Sequence, residues 1–486
     1  MAEMMQLDPG AAIESSSINA QTVNITLIYG SNDPAKGYNI PADKIIELTI
    51  RENFFLLLPT MTLKLEDVGT IFHNVGFQIG NTFYLKIMPE MVSDDAIGAK
   101  PLLEGTYTIQ AIENFNDYDR NSYLYVFRCM YTAEKYINDI CVWPKEDTMA
   151  GKFPSIDKSF TSSDALSVIL ADAGLKPVAD FTREPDDNMA WLNSTLTYSE
   201  FAKKIVSHAW ISNDDMPLLY VDRNGTAYYT SINTLCDAAV KSQYVQQTVY
   251  QKVYDTKNEY TENNTETPAA YSVYEDVTLS NYGFLQNQGG YNIKKYIFNP
   301  YNTASLNMIE FMPTNFNLLN PKAITLNDTC FREKEFKDTG KNGMQRLAKL
   351  SNRSDTQGET VRYRSSGMHF LQTHEYYDYA PVHHESVKHA FFQQFAFMTV
   401  SVTDQPGYEK APEQILKLGD RISIDMSSTA HKASIQSNDY IVSGLTHQIS
   451  FGSKYMIMAT CVSDGIGGTS QLRKQTKDTQ KITTGN

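Results

Sequence analysis

No apolar run in this 486-residue chain approaches the roughly 18 residues of a membrane span. The N-terminal MAEMMQLDPGAAIESSS has neither a basic nor an apolar segment of the secretory kind, so a soluble chain without a secretory address is expected. Cysteine is sparse and odd in number: Cys129, Cys141, Cys236, Cys330 and Cys461 are scattered and form no C-x-x-C pair. That pattern excludes a disulfide framework and a zinc ribbon and points to reduced thiols of a protein folded in cytosol. Positive charge is also short, with 42 Lys and Arg against 56 Asp and Glu, and a net charge of −14 repels nucleic acid and anionic membrane instead of collecting them. Neither G-x-S-x-G, a Walker A loop nor G-x-G-x-x-G after a strand is present. The GIGG at Gly465 opens a polar tail, not a helix, and reads as a linker.

What is present is β grammar. Tyrosine (30) and phenylalanine (23) far outnumber tryptophan (3), a bias that suits strands and wet interfaces. Apolar and polar residues alternate through Val23–Tyr29, Lys44–Ile50, Met61–Glu66, Phe83–Ile87, Gly105–Glu113 and Ser122–Cys129, which predicts an antiparallel barrel or sandwich. From about Ser159 the pattern changes. Thr161-Ser-Ser-Asp164 opens a helix running to Gly174, Thr197-Tyr-Ser-Glu200 is a capping box before a second helix, and Asn224-Gly225 signals a type I′ hairpin turn. Helices are also expected at Gly340–Arg353 and Glu385–Phe395.

The resulting expectation is a mainly β chain with an α+β insertion. A flexible leader spans 1–20, a first β module 21–134, an α+β domain 135–235, an irregular Tyr/Asn-rich β region 236–340, a connecting segment with helices 341–395, a second β module 396–463 and a flexible tail 464–486.

Two regions share one order of segments. The first has MTLKLED from Met61, IGNTFYLKI around Gly80, TYTIQAIENF around Tyr107 and YLYVFRCMY from Tyr123. The second has MTVSVTD from Met398, LGDRISIDM around Gly419, DYIVSGLTHQI around Tyr440 and YMIMATCVS from Tyr455, and Cys129 and Cys461 each follow the Tyr of the last strand by six residues. Two equivalent modules per chain would turn a closed ring of three chains into six quasi-equivalent positions.

Over residues 20–465 this order, with SFTSSDALSVILADAGL, NSTLTYSEFAKKIVSHAW, ESVKHAFFQQFAF and LKLGDRISI followed by DYIVSGLTHQI, resembles the central baseplate hub of contractile-tailed bacteriophages. It is also similar to the hub part of the type VI secretion spike. The resemblance implies two tube-type antiparallel β-barrel modules per chain, with 61–88 and 398–426 as equivalent tube walls and a homotrimer as a pseudo-hexameric ring. It implies a structural, non-enzymatic virion protein of the tail baseplate, made in the bacterial host cytoplasm. Its partners would be itself, the tail tube or a tube-initiator ring, the central spike and baseplate wedge proteins, with DNA passing through the channel without specific binding. Residues 240–335 have no counterpart in that pattern, and neither a fused lysozyme domain nor a spike β-helix repeat is evident.

Excess Asp and Glu lining the channel would keep phosphate sliding. Two other readings are open: a tail-associated cell-wall hydrolase and a receptor-binding adhesin. His369, His374, His383, His384 and His389 cluster, yet His384 and His389 are five apart, off the four-residue spacing of a zincin helix. Glu184-Pro-Asp-Asp187 and Asn213-Asp-Asp215 read as loop and turn residues. The Tyr-rich 240–335 stretch and Tyr376-Tyr-Asp-Tyr379 suit either recognition or packing, and Arg473, Lys474, Lys477 and Lys481 in the tail suit either a partner contact or solubility. No residue is assigned as catalytic, cofactor-binding or metal-ligating.

Overall fold

Period-two alternation delivers what it predicts, a strand with one face in oil and one in water. In the computed structural model, residues 17–18, 21–28, 37–54, 58–68, 77–88, 101–117, 122–143, 160–212, 215–246, 270–273, 293–298, 306–311, 346–347, 360–363, 370–374, 376–377, 380–391, 394–401, 415–425, 438–450 and 455–464 are described. The first strands are β1 (Ser17–Ile18), β2 (Gln21–Ile28), β3 (Tyr38–Ile40), β4 (Ile45–Asn53), β5 (Thr60–Val68), β6 (Thr82–Met88), β7 (Leu103–Asp117) and β8 (Ser122–Tyr131). An α+β portion follows with α1 (Glu134–Asn138), α2 (Ser162–Asp172), β9 (Lys176–Asp180), α3 (Tyr198–His208), β10 (Pro217–Val221), β11 (Thr226–Ser231) and α4 (Ile232–Asp237). Next come β12 (Ser242–Gln246), β13 (Ala270–Val273), β14 (Ile293–Phe298), β15 (Leu306–Phe311), β16 (Arg346–Leu347), β17 (Thr360–Tyr363), β18 (Phe370–Thr373) and α5 (Ala380–Phe391). The chain returns to the main sheet with β19 (Gln394–Ser401), β20 (Arg421–Asp425), β21 (Asn438–Ser450) and β22 (Met456–Ser463).

Among the described residues, fourteen strands share one large, curled and mostly antiparallel sheet. Its path runs β1-β2-β6-β7-β8-β5-β4-β21-β20-β12-β13, with β22 and then β19 branching from β21 and β3 from β2. One core fills the curl, with Ile25, Leu63, Phe83, Tyr107 and Phe127 from the first strands and Ile422, Tyr440, Ile457 and Cys461 from the last. Leu218 and Tyr220 of β10 join that core, so the α+β portion is bolted onto the sheet through side chains that share its oil. A second core lies between α2, α3 and the small β10-β11-β9 sheet, built on Leu166, Ile169, Phe201, Ile205, Val221 and Tyr229.

Local signals hold where they are chemical. Thr161 caps α2 by accepting from the Asp164 N–H, and Thr197 and Glu200 form both halves of the capping box of α3. Other expectations change. The β10–β11 turn centres on Arg223-Asn224, not Asn224-Gly225: the Gly225 N–H donates to the Asp222 carbonyl at 3.0 Å, and Gly225 takes the left-handed φ of 76°. The Asp222 carboxylate accepts from the N–H groups of Asn224 and Thr226 at 2.9 and 2.8 Å, fixing a longer loop than the dipeptide signals. Within the stretch Gly340–Arg353, Arg346–Leu347 is strand instead of helix, paired in parallel with β14; its other residues lie outside those described. The helix expected at Glu385–Phe395 runs from Ala380 to Phe391, and Gln394 already belongs to β19.

Candidate functional site: the seam between two equivalent sets of strands

Three strands of each set, β6-β7-β8 and β20-β21-β22, match residue by residue in their ladders. In the first, Phe83 faces Tyr107 across β6–β7 and Ile109 faces Cys129 across β7–β8; in the second, Ile422 faces Tyr440 across β20–β21 and Val442 faces Cys461 across β21–β22. Each long strand then breaks register at the same step, between Ile109 and Ala111 and between Val442 and Gly444, an inserted residue in each. The turns agree as well. Gly80 N–H donates to the Ile109 carbonyl and Gly419 N–H to the Val442 carbonyl, both at 2.9 Å, and both glycines sit at left-handed φ, 92° and 82°. A shared bulge and a shared turn at matching positions exceed what two unrelated meanders would share. One pair slips: Cys129 faces Met61, whereas Cys461 faces Ala396 and not Met398, so MTLKLED and MTVSVTD align with a two-residue offset. An even offset keeps the same side chains on the core face. The flanks also diverge, since β2 pairs β6 antiparallel while β12 pairs β20 in parallel.

The matching turns have different surroundings. Around Gly419 the α+β portion closes in: Tyr220 Oη donates to the Leu418 carbonyl at 3.4 Å, and a Cβ on Gly419 would lie 2.6 Å from that hydroxyl. Lys241 Nζ reaches Asp420 at 2.6 Å, and Arg421 donates to the carbonyls of Cys236 and Ala238 and pairs with Asp439 at 3.0 Å. Gly80 has nothing within 4 Å of its Cβ position. Asn81 and Thr82 stand where Asp420 and Arg421 stand, and Ile79 is 69% exposed where Leu418 is 6%.

The sets join at one seam, where β4 pairs antiparallel with β21 from Asn53 opposite Gly444 to Glu47 opposite Ser450. Alternation puts Leu48, Ile50 and Glu52 on the core face of β4, so Glu52 is a carboxylate in oil. Arg223 answers it from the β10–β11 turn, with Nη1 2.9 Å from Oε1 and its backbone N–H 2.7 Å from Oε2. His447 of β21 lies with Nε2 3.0 Å from the same Oε1 and Nδ1 2.8 Å from Tyr455 Oη. Burial pushes the Glu52 carboxyl up, but the charge of Arg223 and the bonds from His447 and Arg223 outweigh it and hold the group at about 2. Burial, then Arg223, pushes His447 down, so the imidazole stays neutral, with its proton on Nε2 toward the carboxylate and Nδ1 accepting from Tyr455. One buried network thus ties the first strands, the α+β portion and the last strands together. Sequence reading passed over Glu52, Arg223 and His447; the available signal was an acid in phase with Leu48 and Ile50.

Residues singled out from sequence are spent on packing where described. Asp187 accepts from the backbone N–H groups of Ser162 and Trp210 at 2.8 and 3.0 Å; burial raises its carboxyl to about 6 against those bonds. Asp215 accepts from the N–H of Met216 and Asn233. His374, His383 and His384 are buried around the end of α3, where His374 Nε2 lies 2.8 Å from the His208 carbonyl and His383 packs edge-on to Trp210. Tyr376 stacks on Trp210 and Tyr377 on His208. Among the described residues no three His, Cys, Asp or Glu side chains converge as metal ligands. Cys129, Cys141, Cys236 and Cys461 are buried thiols outside any disulfide. His369, Cys330, Glu385, Asp378, Tyr379 and the tail's Arg473, Lys474, Lys477 and Lys481 lie outside the described residues or side chains.

Comparison with known proteins gives no matching family model and no matching curated protein. Tail and secretion-system proteins are what this fold resembles. The 43 kDa tail protein of prophage MuSo2 from Shewanella oneidensis is 9% identical at a TM-score of 0.49, over 92% of this chain and 99% of that one. A tail protein from Neisseria meningitidis MC58 is 9% identical at 0.46, over 92% and 98%. An E. coli component of the type VI secretion system, described as similar to the T4 bacteriophage tail proteins gp27 and gp5, is 6% identical at 0.37, over 88% and 77%. These are loose likenesses of fold, and the functional reading rests on the chain's own geometry.

Proposed function

We propose that this chain is a structural, non-enzymatic component of a contractile tail, the central baseplate hub, which adapts a sixfold tail tube to a threefold spike. One observation carries the reading: two strand sets agree in turn, in bulge and in the register of three strands each, yet only the second has its turn gripped by the α+β portion. Three chains in a closed ring then present six similar walls, each set closing as a tube-type barrel, and three bulky attachments. The first kind of feature fits a hexameric partner and the second a trimeric one. Its partners on this reading are two further copies, the tail tube or a tube-initiator ring, the central spike and the wedge proteins around it, and it resides in the virion baseplate after synthesis in the host cytoplasm.

The exposed face of the sheet across the seam supplies the channel wall. It carries Arg51, Lys64 and Arg128 against Glu47, Glu66 and Glu113, with Lys64 on Glu47 and Arg128 on Glu113 as direct pairs. On this reading DNA would pass that stretch of wall because fixed charges cancel locally, leaving little net attraction for phosphate, and any acidic excess elsewhere in the channel would act in the same direction. Solution mass and an image down the axis test the hub. Three copies in a ring with an open channel are expected, and a compact monomer both alone and with a tube or spike partner would refute it.

A further inference from the structure

The seam inside the chain occupies one edge of β21, and among the described residues the matching edge of β7 carries no strand. Strand β21 bonds β22 along one side; along the other it bonds β20 through Asn438–Ile441 and then β4 through Gly444–Ser450. Strand β7 bonds β8 along one side and β6 through Leu103–Thr108 along the other. Because Ala111 corresponds to Gly444 across the shared bulge, Ala111–Asp117 is the stretch that corresponds to the one β4 occupies. Among the described residues no strand pairs with it. The complementary edge is at the other end: β5 bonds β8 on one side and β4 on the other, whereas among the described residues β19 bonds only β22, with β13 passing near it while bonding β12. Phe397 on β19 and Met458 on β22 share the exposed face beside that edge and are 48% and 37% exposed.

We propose that Ala111–Asp117 of β7 receives β19 of a second copy of this chain, a between-subunit seam that repeats the β4–β21 seam without its intervening strand. This rests on the hub reading and adds to it which strand edges meet. The partner is a second copy because the internal seam already shows the two sets of strands joining one after the other at this edge, and a head-to-tail repetition of the same step closes a ring. Long unpaired edges are hazards that proteins cover, and among its described residues each copy offers one edge of each kind. With β4 absent between them, β19 and β7 would run parallel, whereas both ladders of β4 are antiparallel.

Proline scanning of β7 with solution mass tests this. Of two neighbouring strand positions, one directs its N–H to β8 and the other to the open edge. Glu113→Pro and Asn114→Pro are therefore made separately. The variant with native circular dichroism is expected to fall from three copies to one at concentrations where the wild type stays assembled. A folded variant that keeps three copies overturns the seam while leaving the hub standing; a wild type that is monomeric even with its tube or spike partner overturns both. As a second measurement, Phe397→Cys is combined with Ala111→Cys or Glu113→Cys, all on the exposed face. Mild oxidation is expected to give a reducible covalent trimer with one of these pairs and none with Val178→Cys as the partner position. Absence of cross-linked trimer from both β7 positions in an assembled ring overturns the proposal.

Discussion

Glu52 occupies a position where strand alternation calls for hydrocarbon, and the cost is offset by Arg223 reaching in from another part of the chain. Removing one partner of such a pair leaves an unpaired buried charge, so Arg223→Met is expected to lower unfolding free energy by about 3–5 kcal/mol. Arg223→Met with Glu52→Gln should recover much of that loss, and chemical denaturation of the three variants measures it. His447 adds a pH signature. Its imidazole is depressed in the folded chain, so below about pH 6.5 the unfolded chain binds a proton the folded one refuses, and stability is lost as pH falls toward the folded value. A His447→Gln variant lacks this titration, so its stability deficit relative to wild type at pH 7 should narrow at pH 5; a constant deficit would contradict the assignment. At the two turns, alanine meets left-handed backbone in both cases. Gly80→Ala should cost about 1–2 kcal/mol for the conformation alone, while Gly419→Ala must also displace Tyr220 and should cost more.

At the scale of elements, the matched bulges separate what belongs to the strand from what belongs to the seam. Deleting Gln110 or Ser443 removes the extra residue without changing which face its neighbours present, since each bulge sets two residues against one. Ser443 has two further duties: its carbonyl accepts from the Phe54 N–H at 3.0 Å and its hydroxyl donates to the Thr460 carbonyl at 3.1 Å. Deletion of Ser443 should therefore destabilise more than deletion of Gln110, by about 1–3 kcal/mol for two hydrogen bonds, read from thermal or urea unfolding. Most of the strands were legible because period two is a property of a single chain segment, and so were α2, α3 and the capping box, whose signals span a few residues. The pairing of Gly80 with Gly419, Tyr107 with Tyr440 and Cys129 with Cys461 was legible for the same reason. What sequence hid was long-range: the two-residue offset at β19, the parallel attachment of β12, and the seam itself, where the partners of Glu52 lie 171 and 395 residues away. The Asn224-Gly225 signal misled because the Asp222 carboxylate competes for the same N–H groups.

For the whole molecule, likeness and difference have separate causes. The shared walls come from backbone pairing that both strand sets repeat, whereas the grip of the α+β portion on the second turn draws on two charges, Asp420 and Arg421, that the first set replaces with Asn81 and Thr82. Writing the first turn's residues into the second, Asp420→Asn with Arg421→Thr, should therefore leave both walls folded while loosening the grip of α4 and the segment after it on the second turn. Lys241 loses its ionic partner within the attachment, whereas Asp439, buried in β21 opposite Ser423, loses Arg421 inside the β20–β21 ladder, so part of the cost falls on that ladder and β7, β8 and β22 are the strands that report on the walls. Hydrogen exchange provides the readout: amides of Cys236–Lys241 should exchange faster, with β7, β8 and β22 protected as before. A uniform loss of protection over both walls would mean that the attachment is part of what holds the sheet together. Unchanged protection at Cys236–Lys241 would mean that Tyr220 and Leu235, packed against Gly419, suffice to hold it, and the charge difference between the two turns would then not explain why only one of them is covered.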